Sequence, residues 1–201
     1  MEENPLESSD SSTWARLIEA LDPSSLLFLI ERKLSGYLKT RVTPEDVWQH
    51  VQLIAWRDRK KCDWRGIRAY RRWILRVIDH QIVNLAEREA AEKRTGGQGA
   101  AAFQAREDGP DPIPEAVARS TTPSRVASWR ERASLIREAL DAVPDDCREI
   151  VRLRLFEELS VEEVADRVGL GISATKHRFR KGFDTYHRLI KGLLGSRDEK
   201  P

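Results

Sequence analysis

Residues 153–193 hold two stretches of helical apolar periodicity with only a glycine turn between them, a spacing that allows a helical hairpin and little else. Ser160 with Glu163 three residues on forms a capping box, in which the hydroxyl accepts from a free N–H of the helix start and the carboxylate reaches back to the Ser160 amide. The first helix is therefore expected to begin at Val161. Val161, Val164, Ala165 and Val168 share one face, and Gly169 supplies the left-handed conformation that ends a helix. From Ile172 the apolar stripe continues through Thr175, Phe179, Phe183, Tyr186, Ile190 and Leu193, the spacing of a helix laid on a core. The opposite face carries Ser173, His177, Arg180, Lys181 and Arg188.

Charge is polarised across this hairpin. Glu157, Glu158, Glu162, Glu163 and Asp166 crowd the first helix, whereas Lys176, Arg178, Arg180, Lys181, Arg188 and Lys191 fill the second, interrupted only by Asp184. Phosphates take Lys and Arg, and base edges take Arg, Lys and Ser, so the second helix has the chemistry a major groove accepts. The residues Ser173, Lys176, His177, Arg178, Arg180 and Lys181 are the expected DNA contacts of a helix-turn-helix. The plainer alternative is an amphipathic hairpin whose basic face is merely solvated.

A formal net charge of +2 on 201 residues makes any nucleic-acid surface local and not a property of the whole chain. No apolar run approaches the roughly 20 residues of a membrane-spanning helix, and acids stand near the N-terminus where a signal peptide has a basic region, which points to the cytoplasm and no membrane partner. Cys62 and Cys147 are too few for a disulfide framework and have no zinc-ligand spacing, so neither a metal nor a cofactor is expected. None of His50, His80, His177 and His187 has a nucleophile or metal partner nearby in sequence, and there is no phosphate-binding glycine loop, so the chain does not read as an enzyme.

Glycine and proline cluster between residues 96 and 123, dividing two helical stretches. No segment alternates as a strand does, so the fold class is all-α: two small helical domains joined by a flexible linker. The expected boundaries are a flexible tail over 1–13, a first domain over 14–94, a disordered or extended linker over 95–128, the helix-turn-helix domain over 129–194 and a tail over 195–201. In the first domain, Ser24 or Ser25 is expected to cap a helix carrying Leu26, Leu29, Ile30, Leu34 and Leu38. Thr43 caps a second with Pro44 at its first position, buried through Val47, Val51 and Ile54 or Ala55. After a basic turn-like passage at 60–66, a long third helix carries Tyr70, Trp73, Ile74, Val77, Ile78, Ile82 and Leu85.

The order of these pieces is similar to that of the extracytoplasmic-function (ECF) sigma factors of the sigma-70 family, promoter-recognition subunits of bacterial RNA polymerase. The resemblance rests on Asp46, Gln49 and Trp56 in one helix and Tyr70, Trp73, Arg76 and Val77 in the next. In the C-terminal part it rests on Leu140 to Pro144, Glu163 to Asp166 and Thr175 to Arg178. It implies a region 2 helical bundle and a region 4 helix-turn-helix, which recognise and melt the minus-ten element and bind the minus-thirty-five element respectively. By position, Asp46, Gln49, His50, Gln52 and Trp56 would meet the clamp helices of the largest catalytic subunit, and region 4 the flap of the second-largest. Trp64, Arg65, Arg68, Arg71, Arg72, Arg76 and His80 would lie at the minus-ten strand. Asp79-His80 replaces the family's common Arg-Asn pair, and Asp79 would repel a phosphate. Core RNA polymerase and promoter DNA are the implied partners, with an anti-sigma factor as a further one that many relatives use. The linker acids Glu107, Asp108, Asp111 and Glu115 would mimic a nucleic-acid strand near the RNA exit path, or the linker is a simple tether.

Two readings of the residues compete with this. A conventional helix-turn-helix regulator would act on an operator without polymerase. Tyr70, Trp73 and Val77 can be core residues and not a base-stacking surface, and for Trp73, on the apolar stripe, core is the better reading.

Overall fold

A computed structural model describes residues 4–95 and 114–198, and among them every regular element is helical. The chain divides into two compact units, Met1–Trp129 and Arg130–Pro201.

The first unit opens with α1 (Ser11–Ala20), whose N-cap Asp10 accepts from the Thr13 amide at 2.8 Å and from the Ser12 hydroxyl. These hydrogen bonds, that of the Ser12 side chain foremost, hold the Asp10 carboxyl well below the usual carboxylate range. In α2 (Pro23–Lys33), Leu26, Leu27, Phe28, Leu29 and Ile30 are all buried, the mark of a helix enclosed by its neighbours. The expected Ser24 or Ser25 cap does not form. The helix starts earlier, at Pro23 after a left-handed Asp22, because proline's fixed φ suits the first helical position, and both serines are buried in the first turn. Helix α3 (Pro44–Asp58) has the expected start, with Thr43 and Asp46 closing a capping box, and buries Val47, Trp48, Val51, Gln52 and Ala55. Gly66, at φ +88°, makes the turn into α4 (Ile67–Thr95), which buries Tyr70, Ile74, Ile78 and Leu85.

Three expected unstructured stretches differ. Leu6 is buried and α1 begins at Ser11, so residues 4–13 are tied down by an apolar anchor instead of forming a free tail. Within the expected linker, α5 (Glu115–Ser120) and the start of α6 (Pro123–Asp141) are helical, because Ala116 and Val117 in it, and Trp129 just beyond it, bury apolar surface that the glycine and proline content masked. Residues 96–113, with Glu107, Asp108 and Asp111, lie outside the described residues. At the C-terminus helix α9 runs to Asp198, past the expected start of the tail at 195.

The second unit packs α7 (Asp145–Leu155), α8 (Val161–Val168) and α9 (Ile172–Asp198). Ser160 and Glu163 form the expected capping box, and Gly169 ends α8 at φ 66°. Arg152 is held between Glu149 and Glu157, and Glu157 also meets Arg167, fixing the passage from α7 to α8. Ile150, Leu153 and Val164 form a buried cluster on which Leu159, Val168, Leu170 and Phe179 pack. The buried side of α9 is rotated from the expected stripe. Thr175 and Tyr186 are buried, but Ile172 and Phe183 are exposed at 46% and 36%. Gly182 takes the core position between them, and a Cβ there would stand 2.6 Å from Val151 Cγ2 and 2.7 Å from Cys147 Cβ. The absence of a side chain is what lets α9 lie this close to α7.

Candidate nucleic-acid interface

Helix α9 follows directly on the glycine turn, so its first residues project beyond the core of the second unit. Ser173, Lys176, His177 and Arg180 are exposed, as are Arg188 and Lys191 further along. Thr175, on the buried side, satisfies its hydroxyl by donating to the Gly171 carbonyl at 3.1 Å. Two expected contacts sit differently. Arg178 is only half-exposed, and Lys181 lies 3.9 Å from Asp146 of α7. Helical spacing places both on the flank nearer α7, away from the direction shared by Ser173, His177 and Arg180. Phe179 is half-buried, with the Arg154 guanidinium 5.5 Å from its ring centre. Phe183 stacks on His187 at 5.8 Å.

In the first unit, α4 exposes Arg68, Arg72, Arg76 and His80, at intervals of four residues that set them along one side of the helix. Arg71 is not among them. It is buried, and its guanidinium donates to the Leu21 carbonyl and, at 2.9 Å, to the Ser25 hydroxyl, so it joins α4 to the start of α2. Arg65 pairs with Asp63 at 2.8 Å in an exposed position. Asp79 is ion-paired with Lys33 of α2 at 2.7 Å, which offsets the repulsion it would exert on a phosphate. Tyr70 links Trp64 and Trp73 in a row of rings, 5.9 and 5.4 Å between centres. Tyr70 itself is enclosed and its burial pushes the phenol pKa upward, while Trp64 and Trp73 stay half-exposed. Trp73 thus packs with one part of its ring and presents the other.

On α3, Asp46 and Gln49 are exposed and His50 is half-buried. Gln52 does not form part of an open surface, and Trp56 is only half-exposed. Gln52 is fully buried and accepts a hydrogen bond from Ser120 at 3.0 Å. Trp56 packs edge-on against Trp14 at 5.1 Å, with the Arg59 guanidinium 3.8 Å above its ring. The helical spacing of α3 places these residues correctly, but sequence does not show that α1 and α5 lie over them.

Three features escaped sequence reading: the buried Arg71, the Lys33–Asp79 pair and the packing role of Gly182. An arginine on the apolar side of α4, next to Tyr70 and Ile74, is the one signal that pointed to the first.

Comparison with known proteins bears on the second unit. Residues 122–184 match the family model described as Sigma-70, region 4. Over this span the chain is similar to region 4 of the sigma-70 factors. No curated protein and no solved structure matches the chain. The matched span ends two residues past Gly182 and includes the capping box, the glycine turn and the exposed residues from Ser173 to Arg180. Sigma-70 factors act in transcription initiation, where region 4 serves the minus-thirty-five element, and they are not enzymes. Among the described residues, no helix is long and apolar enough to cross a membrane.

Proposed function

We propose that the chain is a sigma factor of the ECF type, which binds core RNA polymerase in the cytoplasm and directs promoter-specific initiation. The observation that carries this reading is the region 4 match over a helix whose exposed side holds Ser173, Lys176, His177 and Arg180. In this reading α9 enters the major groove of the minus-thirty-five element, with Arg180 and Lys176 on phosphates and Ser173 and His177 toward base edges. Arg178 and Lys181 serve the flanking backbone.

The first unit acts as region 2. Opening a duplex costs about 1.4 kcal/mol per base-pair step, and stacking an unpaired base on an aromatic ring returns about 1–3 kcal/mol. The half-exposed rings of Trp64 and Trp73 beside the Arg68, Arg72 and Arg76 row combine that stacking with phosphate attraction at the minus-ten strand. Asp46 and Gln49 of α3 dock on the clamp helices of the largest subunit, and region 4 meets the flap of the second-largest. Two modest DNA contacts on one chain gain affinity from their effective concentration. An anti-sigma factor is a further partner in this reading.

The test is core binding by the Asp46→Asn/Gln49→Ala protein, in which asparagine keeps an acceptor for the Thr43 cap. Loss of binding with the helical content unchanged supports the reading. Unchanged binding excludes α3 as the docking helix and favours an operator-binding regulator.

A further inference from the structure

We propose that α5 and the start of α6 are a displaceable cover over the docking face of α3, so that the chain engages polymerase fully only when this cover is lifted. The inference rests on the assignment of α3 to polymerase docking. Ala116, Val117 and Ser120 of α5 are buried, and the Ser120 hydroxyl shares its one proton between the Val117 carbonyl at 2.8 Å and Gln52 Oε1 at 3.0 Å. Just beyond, Thr121, Val126 and Trp129 line a small pocket together with Asp46, Trp48 and Gln49 of α3. Arg125 reaches Glu19 of α1 at 3.7 Å. The segment 115–129 therefore packs mainly on α1 and reaches α3 at Gln52 and beside Asp46 and Gln49, which themselves stay exposed.

The cover fits this side incompletely. Gln52 Nε2 and Trp48 Nε1 are both buried donors without a hydrogen-bond partner. Buried donors are nearly always paired, so two orphans on one helix face mark a surface whose present occupant supplies too few acceptors. A partner that offers carbonyl or carboxylate oxygens at these two points would complete it. The cover depends wholly on its neighbours. A helix of six residues has no stability of its own in water, and α5 has no side-chain cap at its N-terminus. It is held chiefly against α1, with Ala116 and Val117 buried and the Ser120 hydroxyl reaching Gln52 of α3, against the entropy of ordering its backbone.

A binding site that is open only part of the time shows an affinity reduced by the open fraction, so a cover closed nine-tenths of the time weakens docking about tenfold. Val117→Asp/Ser120→Asp places two charges in the buried contact and should release it. In the full chain, hydrogen exchange over 115–120 should rise to that of an unfolded segment while α3 and α4 stay protected. Affinity for core polymerase should then tighten, by about tenfold for a cover closed nine-tenths of the time. Should the charges also loosen α3, Val117→Ala/Ser120→Ala provides the milder pair, with a smaller shift in the same direction. Released exchange with unchanged or weaker core affinity, while Asp46→Asn/Gln49→Ala still abolishes binding, would overturn the cover and leave the docking assignment standing. Indifference to Asp46→Asn/Gln49→Ala with the cover open or closed would instead remove the docking assignment, and the cover with it.

Discussion

Replacing Gly182 by alanine sets two effects of opposite sign against each other. Within a helix, alanine is favoured over glycine by about 0.5–1 kcal/mol because it loses less backbone entropy. Against this, the new methyl would stand 2.6 Å from Val151 Cγ2, 2.7 Å from Cys147 Cβ and 3.4 Å from Val143 Cγ1. Neither of the two closest atoms can swing aside. The Cys147 Cβ is fixed to the backbone, and valine in a helix has one strongly preferred rotamer. Helices α7 and α9 must therefore move apart, and overpacking of this kind costs about 1–3 kcal/mol. Two contacts this close put the cost toward the upper end, so the net effect is a loss of about 1–2 kcal/mol after the helix gain is subtracted. Gly192, on the same helix with nothing within 4 Å of a built Cβ, is the internal control, and Gly192→Ala should gain about 0.5–1 kcal/mol. Amide hydrogen exchange in α7 and α9 of the full chain reads the opening free energy of this unit directly. In thermal unfolding the same loss corresponds to roughly 4–8 °C per kcal/mol for a unit of this size. If Gly182→Ala is as stable as the parent, or gains stability as Gly192→Ala does, the close approach of the two helices is refuted.

The recognition helix, Arg71 and His50 give further tests. Lys176→Ala/Arg180→Ala should lower the salt slope of DNA binding by about 1.8, near 0.9 for each lost phosphate contact, whereas Lys181→Ala, beside Asp146, should change it less; equal slopes would exclude the exposed side of α9 from the interface. Arg71→Ala should destabilise the first unit by about 2–3 kcal/mol through loss of its hydrogen bonds to Leu21 and Ser25, measured by urea unfolding; an unchanged midpoint with weakened DNA binding would return Arg71 to the interface. His50 is held below its ordinary value of 6.5 by burial and by Arg88 and Arg57, against a hydrogen bond with Gln81. The unfolded chain then takes up the proton first as pH falls. The first unit should be fully stable above about pH 6.5 and lose stability below it, and His50→Gln should flatten that dependence; an identical pH profile in the variant would contradict the assignment.

Local signals carried much of the fold. The Ser160–Glu163 capping box, the Thr43 cap, Pro44 and Gly169 act through hydrogen bonds and backbone angles set within a few residues, and each stands where its sequence context places it. What depended on a distant neighbour was harder to read. Phe183 and Gly182 are adjacent, and periodicity alone favours the aromatic for the core. Only the presence of α7, with Cys147 and Val151 closely opposed, reverses the choice. Arg71 looks like one more cation in a basic helix until the Leu21 carbonyl and Ser25 hydroxyl are seen 50 and 46 residues away in sequence. The stretch 114–128 misled for another reason. Its proline and serine content is that of a linker, and its few apolar residues become significant only when α1 and α3 supply a surface for Val117. For the candidate site, residue types and helix faces were legible, as the exposed Ser173, His177 and Arg180 and the row of Arg68, Arg72 and Arg76 show. Which cations were already engaged within the protein was not.

Transcription in vitro with purified core polymerase and this chain, on a library of genomic fragments, tests the central claim most directly. The account predicts transcripts that start at a restricted set of promoters sharing elements near minus-thirty-five and minus-ten, lost when Lys176 and Arg180 are both replaced by alanine. Duplex binding by the chain with no promoter-specific transcript, and no association with core polymerase, would contradict it.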